Sequence, residues 1–151
     1  MIRAPVKRAG VALTGVVVLG TACTYFNTIY NAEQLFEDAE RLRREGQDSL
    51  AQERYADVIR KAAAGFRSDP GGGWAYESAF LLGRAHLRSG DFQAAEAALR
   101  HSAALAENPD ERLAAQVFQG VLEARLGRPA VAVDLFNEAL AGATDPAVRG
   151  E

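Results

Sequence analysis

The fold is decided by the stretch Tyr76–Pro109, YESAFLLGRAHLRSGDFQAAEAALRHSAALAENP. Small and apolar residues recur in it at spacings of three and four, which is the period of one helix face. Gly90 interrupts that period with a residue suited to a turn, and Asp91 is a preferred helix-capping residue. Pro109 closes the unit, because proline suits the first turn of a following helix. The stretch therefore predicts two helices joined by a tight turn.

The same pattern recurs on both sides of this stretch. Its key positions reappear after a shift of 37 residues toward the C-terminus and, more weakly, after a shift of 44 residues toward the N-terminus. The downstream matches are Gly120, Gly127, Ala132, Phe136, Ala139 and Pro146, and the upstream matches are Ala39, Gly46, Ala51 and Tyr55. Internal repetition of this length predicts stacked units of two helices each.

The repeating residues resemble those of the tetratricopeptide repeat (TPR) family. That family has a small residue in the first helix, glycine in the turn, small and bulky residues in the second helix, and a final proline. The matching residues here are Gly83, Gly90, Ala95, Leu99, Ser102 and Pro109. The resemblance implies an all-α fold, a right-handed α-solenoid of about three repeats (32–66, 74–109 and 110–146) in a domain spanning 32–146. His86 and Val58 depart from the family pattern.

Composition agrees with an all-α domain and narrows the choice of partners. The chain of 151 residues carries a formal charge of −3, and three of its 17 basic residues lie in the first ten positions. The rest of the chain therefore has 14 basic and 20 acidic residues. An acidic body without a basic stripe argues against nucleic acid as the main partner.

Residues 1–22 have the outline of a secretory signal peptide. Arg3, Lys7 and Arg8 form a positive start, and the apolar run 11–20 follows them. That run is shorter than the roughly 20 residues that cross a bilayer comfortably, although an uncleaved N-terminal anchor is the alternative. The single cysteine, Cys23, comes directly after Thr21 and Ala22.

This position of Cys23 resembles a bacterial lipobox, in which the cysteine receives a diacylglycerol and becomes the first mature residue. Gly20 departs from the usual leucine, which stands one residue earlier as Leu19. The alternative is an ordinary buried cysteine. The resemblance implies lipidation at Cys23 and, because Thr24 follows rather than aspartate, an outer-membrane lipoprotein facing the periplasm.

Local signals predict the elements that follow. Residues 23–31 are a lipidated tether whose aromatic residues either lie at the lipid interface or pack under the first repeat, and we favour packing. The candidate helix caps are Asp48 and two capping boxes, Asn31 with Gln34 and Asn108 with Glu111. The glycine-rich stretch 68–73 favours a linker over a phosphate-binding loop, since no strand precedes it and no Lys-Ser/Thr follows. Residues 147–151 form a short tail.

Residues capable of chemistry are few. His86 stands at a helix-packing position and His101 reads as a surface residue. The sequence has no metal-binding His-Glu-x-x-His stretch and no cysteine pair, so we expect neither a metal site nor a cofactor. No Gly-x-Ser-x-Gly nucleophile motif occurs. We therefore predict that the protein is not an enzyme.

The resemblance also implies a binding groove lined by the first helix of each repeat. The groove residues carried over from the family are Phe36, Arg43, Arg44, Phe80, Arg84, Arg88, Val117, Val121 and Arg125. Arg44, Arg88 and Arg125 share one repeat position and form a predicted arginine column, which would take an acidic peptide or a free C-terminus. The alternative pairs these arginines with nearby acids, such as Arg44 with Glu40. The Lys and Asn clamp of chaperone-binding members is absent, because Phe36 and Glu40 stand at those positions.

These features predict a membrane-anchored scaffold for protein–protein interaction in envelope assembly. One alternative is an adaptor for a peptidoglycan enzyme or a secretion system. Another is a regulatory subunit that docks through an exposed C-terminal face, because the last repeat has no visible capping helix. A hydrolase would require a pocket that gathers His86 with a carboxylate.

Overall fold

The computed structural model describes residues 25–144, and all of their regular structure is helical. A π-helical turn, Tyr25–Tyr30, leads into six α-helices. Their bounds are α1 Asn31–Arg44, α2 Asp48–Ser68, α3 Ala75–Ser89, α4 Phe92–Leu105, α5 Pro109–Arg125 and α6 Pro129–Thr144. The predicted all-α class is confirmed for this part of the chain. The predicted signal peptide, Cys23 and the tail 147–151 lie outside the described residues.

The helices form three hairpins whose turns share one backbone pattern. Gly46, Gly90 and Gly127 have φ of 75°, 82° and 74°, a left-handed conformation that glycine adopts without strain. At the second turn, the Asp91 N–H donates to the His86 carbonyl at 3.0 Å and the Gly90 N–H donates to the Leu87 carbonyl at 3.4 Å. The other two turns repeat both bonds at equivalent positions. This bonding satisfies carbonyls that the helix end leaves unpaired.

Each helix packs against the next one in the chain, and α3 also contacts α1 and α5. Inside the second hairpin, a Cβ added to Gly83 would lie 2.7 Å from Leu99 Cγ. Inside the third hairpin, a Cβ added to Gly120 would lie 2.6 Å from Phe136 Cε1. The absence of a side chain at each glycine therefore lets the two helices approach closely.

The buried side chains form two clusters with α3 between them. One cluster joins α1 and α2 to α3, and its members include Phe36, Ala39, Tyr55, Val58 and Leu81. The other joins α3 to α4 and α5 through Leu87, Ala95, Leu99 and Leu122. Because α3 contributes to both, it is the central helix of the described domain.

Two predicted caps are wrong and two are confirmed. Asn31 and Asp48 are the first residues inside α1 and α2, and the residues before them make no side-chain cap bond. For α1 the reason is that the chain arrives already helical from the π-helical turn. Asp91 does cap α4, accepting from the Ala94 N–H at 3.1 Å. Asn108 caps α5 by accepting from the Glu111 N–H at 2.9 Å.

The π-helical turn packs on the first hairpin. Ile29 is buried and lies against Gly65 in α2, where Thr28 and Ser78 also come close. The buried contact is made by Ile29, whereas Tyr30 is 43% exposed and the side chains of Tyr25 and Phe26 are not among those described, so the predicted packing of the aromatic residues stays a prediction. None of the helices within residues 25–144 combines the length and the apolar character that a bilayer crossing requires.

Candidate peptide-binding site

Aromatic side chains from the first helix of each hairpin lie near one another. On α3, Tyr76 stacks on Phe80 with ring centroids 5.5 Å apart. Phe80 meets Phe118 of α5 edge-to-face at 5.3 Å. Residues four apart, as Tyr76 and Phe80 are, lie on one helix face. The contacts of α3 with α1 and α5 thus bring three helices to one shared surface, which we call the aromatic face and define as Phe36, Tyr76, Phe80 and Phe118.

Arg84 lies at the centre of the aromatic face. Its guanidinium carbon is 4.2 Å from the ring centroid of Phe36, 5.2 Å from that of Phe118 and 5.6 Å from that of Phe80. A guanidinium within about 6 Å of an aromatic ring is attracted to the electrons of its face. Arg84 therefore links α1, α3 and α5 through ring contacts alone.

No carboxylate among residues 25–144 forms an ion pair with Arg84, although the charges of Glu40 and Glu33 act on it from farther away. The Arg84 Nε is buried without a hydrogen-bond partner. Burial lowers the pKa of Arg84, while the charge of Glu40 raises it and that of Arg88 lowers it.

Glu40, in contrast, is surrounded by donors. Arg88 Nε donates to Glu40 Oε1 at 2.7 Å, Arg43 donates to Oε2 at 3.1 Å, and the Tyr55 hydroxyl donates to Oε1. Burial tends to raise the pKa of Glu40, but these donors outweigh it and lower the pKa to about 2. Burial and the neighbouring Glu40 raise the pKa of Tyr55 to about 12. We call these four residues the Glu40 network, and it joins the first hairpin to the second.

Two carboxylates lie near the aromatic face. Burial raises the pKa of Glu33, and Glu37 adds to the rise while Arg84 opposes it. Burial also raises the pKa of Glu77, whose Oε2 is buried without a hydrogen-bond partner. Glu111 raises the pKa of Glu77 further by its charge. The surroundings of the aromatic face are therefore acidic.

The predicted groove residues differ in their surroundings. Arg43 and Arg88 are bound to Glu40, and Arg43 is exposed, as Arg44 and Arg125 are. Glu40 is thus held by Arg43 and Arg88 rather than by Arg44, the pairing that the sequence alternative had named. Val121 is partly buried and, like Phe80 and Phe118, packs against the second buried cluster, and Val117 is half-buried.

Sequence reasoning placed Arg84 in the groove without singling it out, and it left Phe118 and Tyr76 out of the site. Phe118 lies next to Val117, one of the predicted groove residues, and it is Phe118 that contacts Phe80. Tyr76 donates from its hydroxyl to the Glu111 carbonyl at 2.9 Å, and so fixes α3 to α5. The sequence did contain a signal for Tyr76, because it lies four residues before Phe80 and this spacing places two side chains on one helix face.

His86 lies at the end of α3, next to the turn that leads into α4. His86 Nδ1 lies 3.4 Å from Asp91 Oδ2, but the two atoms do not form a hydrogen bond. The other oxygen of Asp91 caps α4. Burial lowers the pKa of His86, and Asp91 opposes that effect. Among residues 25–144, no group of three or more His, Cys, Asp or Glu side chains is placed to hold a metal ion.

Comparison with protein-family models, with curated proteins and with solved structures gave no match to this chain.

Proposed function

We propose that this protein is a lipid-anchored interaction scaffold of the tetratricopeptide type, which binds a segment of a partner protein on the aromatic face. In this proposal the three hairpins are repeats of a right-handed solenoid, and their first helices α1, α3 and α5 line its groove. The shared turn geometry and the close approaches at Gly83 and Gly120 support the repeat assignment.

One observation carries the binding role: Phe36, Phe80 and Phe118, from three different helices, surround a single arginine that has no carboxylate partner. A purely structural core would be expected to satisfy that buried group, because an unpaired buried donor costs free energy. Aromatic and arginine side chains are also the residues most often responsible for affinity at protein interfaces.

The binding role is tested by photocrosslinking in the cells that produce the protein. Ala114 precedes Phe118 by one helical turn and so shares its face of α5. A benzoylphenylalanine at Ala114 should crosslink to a partner polypeptide, and the same residue at exposed Ala97 on α4 should not. Equal crosslinking at both positions, or none at Ala114, would contradict a groove-binding role.

In the proposed localisation, signal peptidase removes residues 1–22 and a lipid on Cys23 holds the protein at the outer membrane, facing the periplasm. The observation that supports it is the sequence of the N-terminus, a positive start, an apolar run and small residues before the single cysteine. Intact mass with metabolic palmitate labelling tests it. Wild-type protein should be shortened and labelled, and Cys23→Ala should lose the label. An unlabelled, full-length wild-type protein would contradict the proposed localisation.

A second candidate function, an adaptor or regulatory subunit that docks onto a peptidoglycan enzyme or a secretion system, is favoured by the outer side of α6. Val133 and Leu140 there are 54% and 64% exposed. Apolar side chains at this spacing form a stripe along one side of the helix. In this role the partner would cover α6 rather than the aromatic face.

A further inference from the structure

Two aromatic side chains at the surface belong neither to the core nor to the aromatic face. Among the side chains that the structure describes, the exposed aromatic ones are Tyr30, Trp74 and Phe136. Phe136 meets Gly120 inside the third hairpin, which accounts for its position. Tyr30 is 43% exposed and Trp74 is 39% exposed, and neither belongs to a buried cluster. Their exposure therefore needs another explanation.

Tyr30 and Trp74 lie at the same end of the domain. The π-helical turn, the end of α2 and the start of α3 meet at Gly65, which is close to Ile29 and would place a Cβ 3.2 Å from Ser78 Oγ. Tyr30 directly follows Ile29 in the chain. Trp74 precedes Ser78 by about one helical turn, and its carbonyl accepts from the Ser78 hydroxyl at 2.7 Å. We call Tyr30 and Trp74 the aromatic edge.

The proposed site of lipid attachment is close to this end of the domain. Only Thr24 separates Cys23 from the π-helical turn, which begins at Tyr25 and continues directly into α1. Two residues of extended chain span at most about 7 Å, whereas the 14 residues of α1 span about 21 Å. A lipid on Cys23 would therefore hold the aromatic edge, and not the opposite end of the first hairpin, at the bilayer surface.

The chemistry of the aromatic edge matches the interface of a bilayer. Tyrosine and tryptophan side chains favour the headgroup layer, because each has an apolar ring and a polar group. Nearby charges give little preference for anionic lipid. Exposed Arg67 forms none of the ion pairs among residues 25–144, and exposed Asp69 follows it with the opposite charge. Glu77 and Glu107 line a small cavity beside the glycines at 71–73. A surface without excess positive charge is not drawn to anionic headgroups.

We infer that the aromatic edge rests on the lipid bilayer, with the rings of Tyr30 and Trp74 in the headgroup layer. This inference rests on the proposed localisation, because the lipid on Cys23 brings the domain to the bilayer. In this arrangement α1 and α3 begin near the membrane and run away from it. For Tyr30 the contact with lipid replaces the packing role that we favoured from the sequence.

The test uses the fluorescence of Trp74, which is the only tryptophan in the chain. Lipidated wild-type protein is purified in detergent and reconstituted into phosphatidylcholine vesicles, with and without a lipid that carries a spin label just below the headgroups. The label quenches fluorescence only at short range, so Trp74 emission should be strongly quenched. Adding phosphatidylglycerol to the vesicles should leave the quenching unchanged, because the aromatic edge has no excess positive charge beside it.

The matched control moves the tryptophan to the other end of α2. Leu50 is 48% exposed and lies about 22 Å along the helix from Gly65. Near it, Gln52 donates to the Arg88 carbonyl at 3.3 Å, which places this part of α2 beside the end of α3. The double variant Trp74→Phe with Leu50→Trp should therefore show little quenching. Equal quenching at the two positions, or none at Trp74, would overturn the inference.

A longer tether separates the effect of the rings from the effect of the short connection to Cys23. A flexible Gly-Ser segment of about ten residues, with ends roughly 17 Å apart, is inserted between Thr24 and Tyr25. Trp74 should stay quenched in the lengthened protein, and adding Tyr30→Ser should remove most of the quenching. Leu50→Ser changes a residue of similar exposure and should have no effect. Thermal unfolding shows that each variant is folded.

Loss of quenching on lengthening alone would show that the tether, and not the rings, holds this end at the bilayer, and would overturn the inference. Palmitate labelling of the same samples separates the inference from the proposed localisation. A labelled wild-type protein with unquenched Trp74 would overturn the inference and leave the localisation in place. An unlabelled wild-type protein would contradict the localisation and the inference together. The crosslink at Ala114 tests groove binding independently of both.

Discussion

The second and third hairpins use the same internal contact but differ in what covers them. Gly83 meets Leu99 in the second hairpin, and Gly120 meets Phe136 in the third. Leu99 is fully buried, because α5 packs over α4, whereas Phe136 is 37% exposed and no further helix follows α6 among the described residues. The contact inside a hairpin is thus a local property, while the burial of that contact depends on the neighbouring hairpin.

The second hairpin is also the one tied to both neighbours. Arg88 reaches Glu40 in the first hairpin, and Phe80 reaches Phe118 in the third. Arg84 sits between these two links. We therefore expect the second hairpin to carry most of the stability of the domain.

The largest expected effect contrasts the two bulky residues. Leu99→Ala removes a fully buried side chain and should lower the free energy of unfolding by about 3 kcal/mol. Phe136→Ala removes a larger side chain that is partly in water, and should cost about 1.5 kcal/mol. Urea denaturation measures both. Equal losses would show that the third hairpin is covered as well as the second.

A smaller effect contrasts two carboxylates. Glu40→Gln weakens the link between the first and second hairpins and should cost about 2 kcal/mol at pH 7, the scale of hydrogen bonds to a charged group. Its control in the third hairpin is Glu123→Gln, which disrupts a pair with half-exposed Arg128 and should cost less than about 1 kcal/mol. A Glu40→Gln cost no larger than the control would mean that the Glu40 network does not join the hairpins energetically.

The stability difference between wild type and Glu40→Gln should depend on pH. The pKa of Glu40 is lowered from 4.5 to about 2 in the folded protein, so its ionised form is stabilised by folding. That contribution is fully present above about pH 4.5 and is lost as the pH falls toward 2. The difference between wild type and Glu40→Gln in urea denaturation should therefore shrink over this window. A difference that stays constant with pH would contradict the assignment.

Features within one hairpin could be predicted from the sequence, because their causes are local. Glycine in the turns, small residues opposite Leu99 and Phe136, and the Asn108 cap each depend on residues close along the chain. The caps predicted at Asn31 and Asp48 were wrong. At Asn31 the reason is that the preceding residue, Tyr30, is already helical, which the sequence signal for a cap does not reveal.

Features between hairpins could be predicted only in part. Glu40 and Arg88 are 48 residues apart, so nothing in the local pattern favours that pairing over Glu40 with Arg44. The family pattern placed Phe36, Phe80 and Arg84 in one groove, but the ring contacts of Arg84 depend on how α1, α3 and α5 meet. Tertiary packing decides which residues contact a side chain that lies between three helices. The residue spacing along one helix carries no information about that packing.

The most direct test of the account compares crosslinking at three positions in the same cells. Benzoylphenylalanine is placed at Ala114 beside the aromatic face, at exposed Val133 on α6, and at exposed Ala97 on α4. Binding of a partner on the aromatic face predicts one partner band at Ala114 that disappears when Arg84→Met is added, with none at Ala97. A partner band confined to Val133 would contradict it, and would show that the uncovered side of the third hairpin is the functional surface.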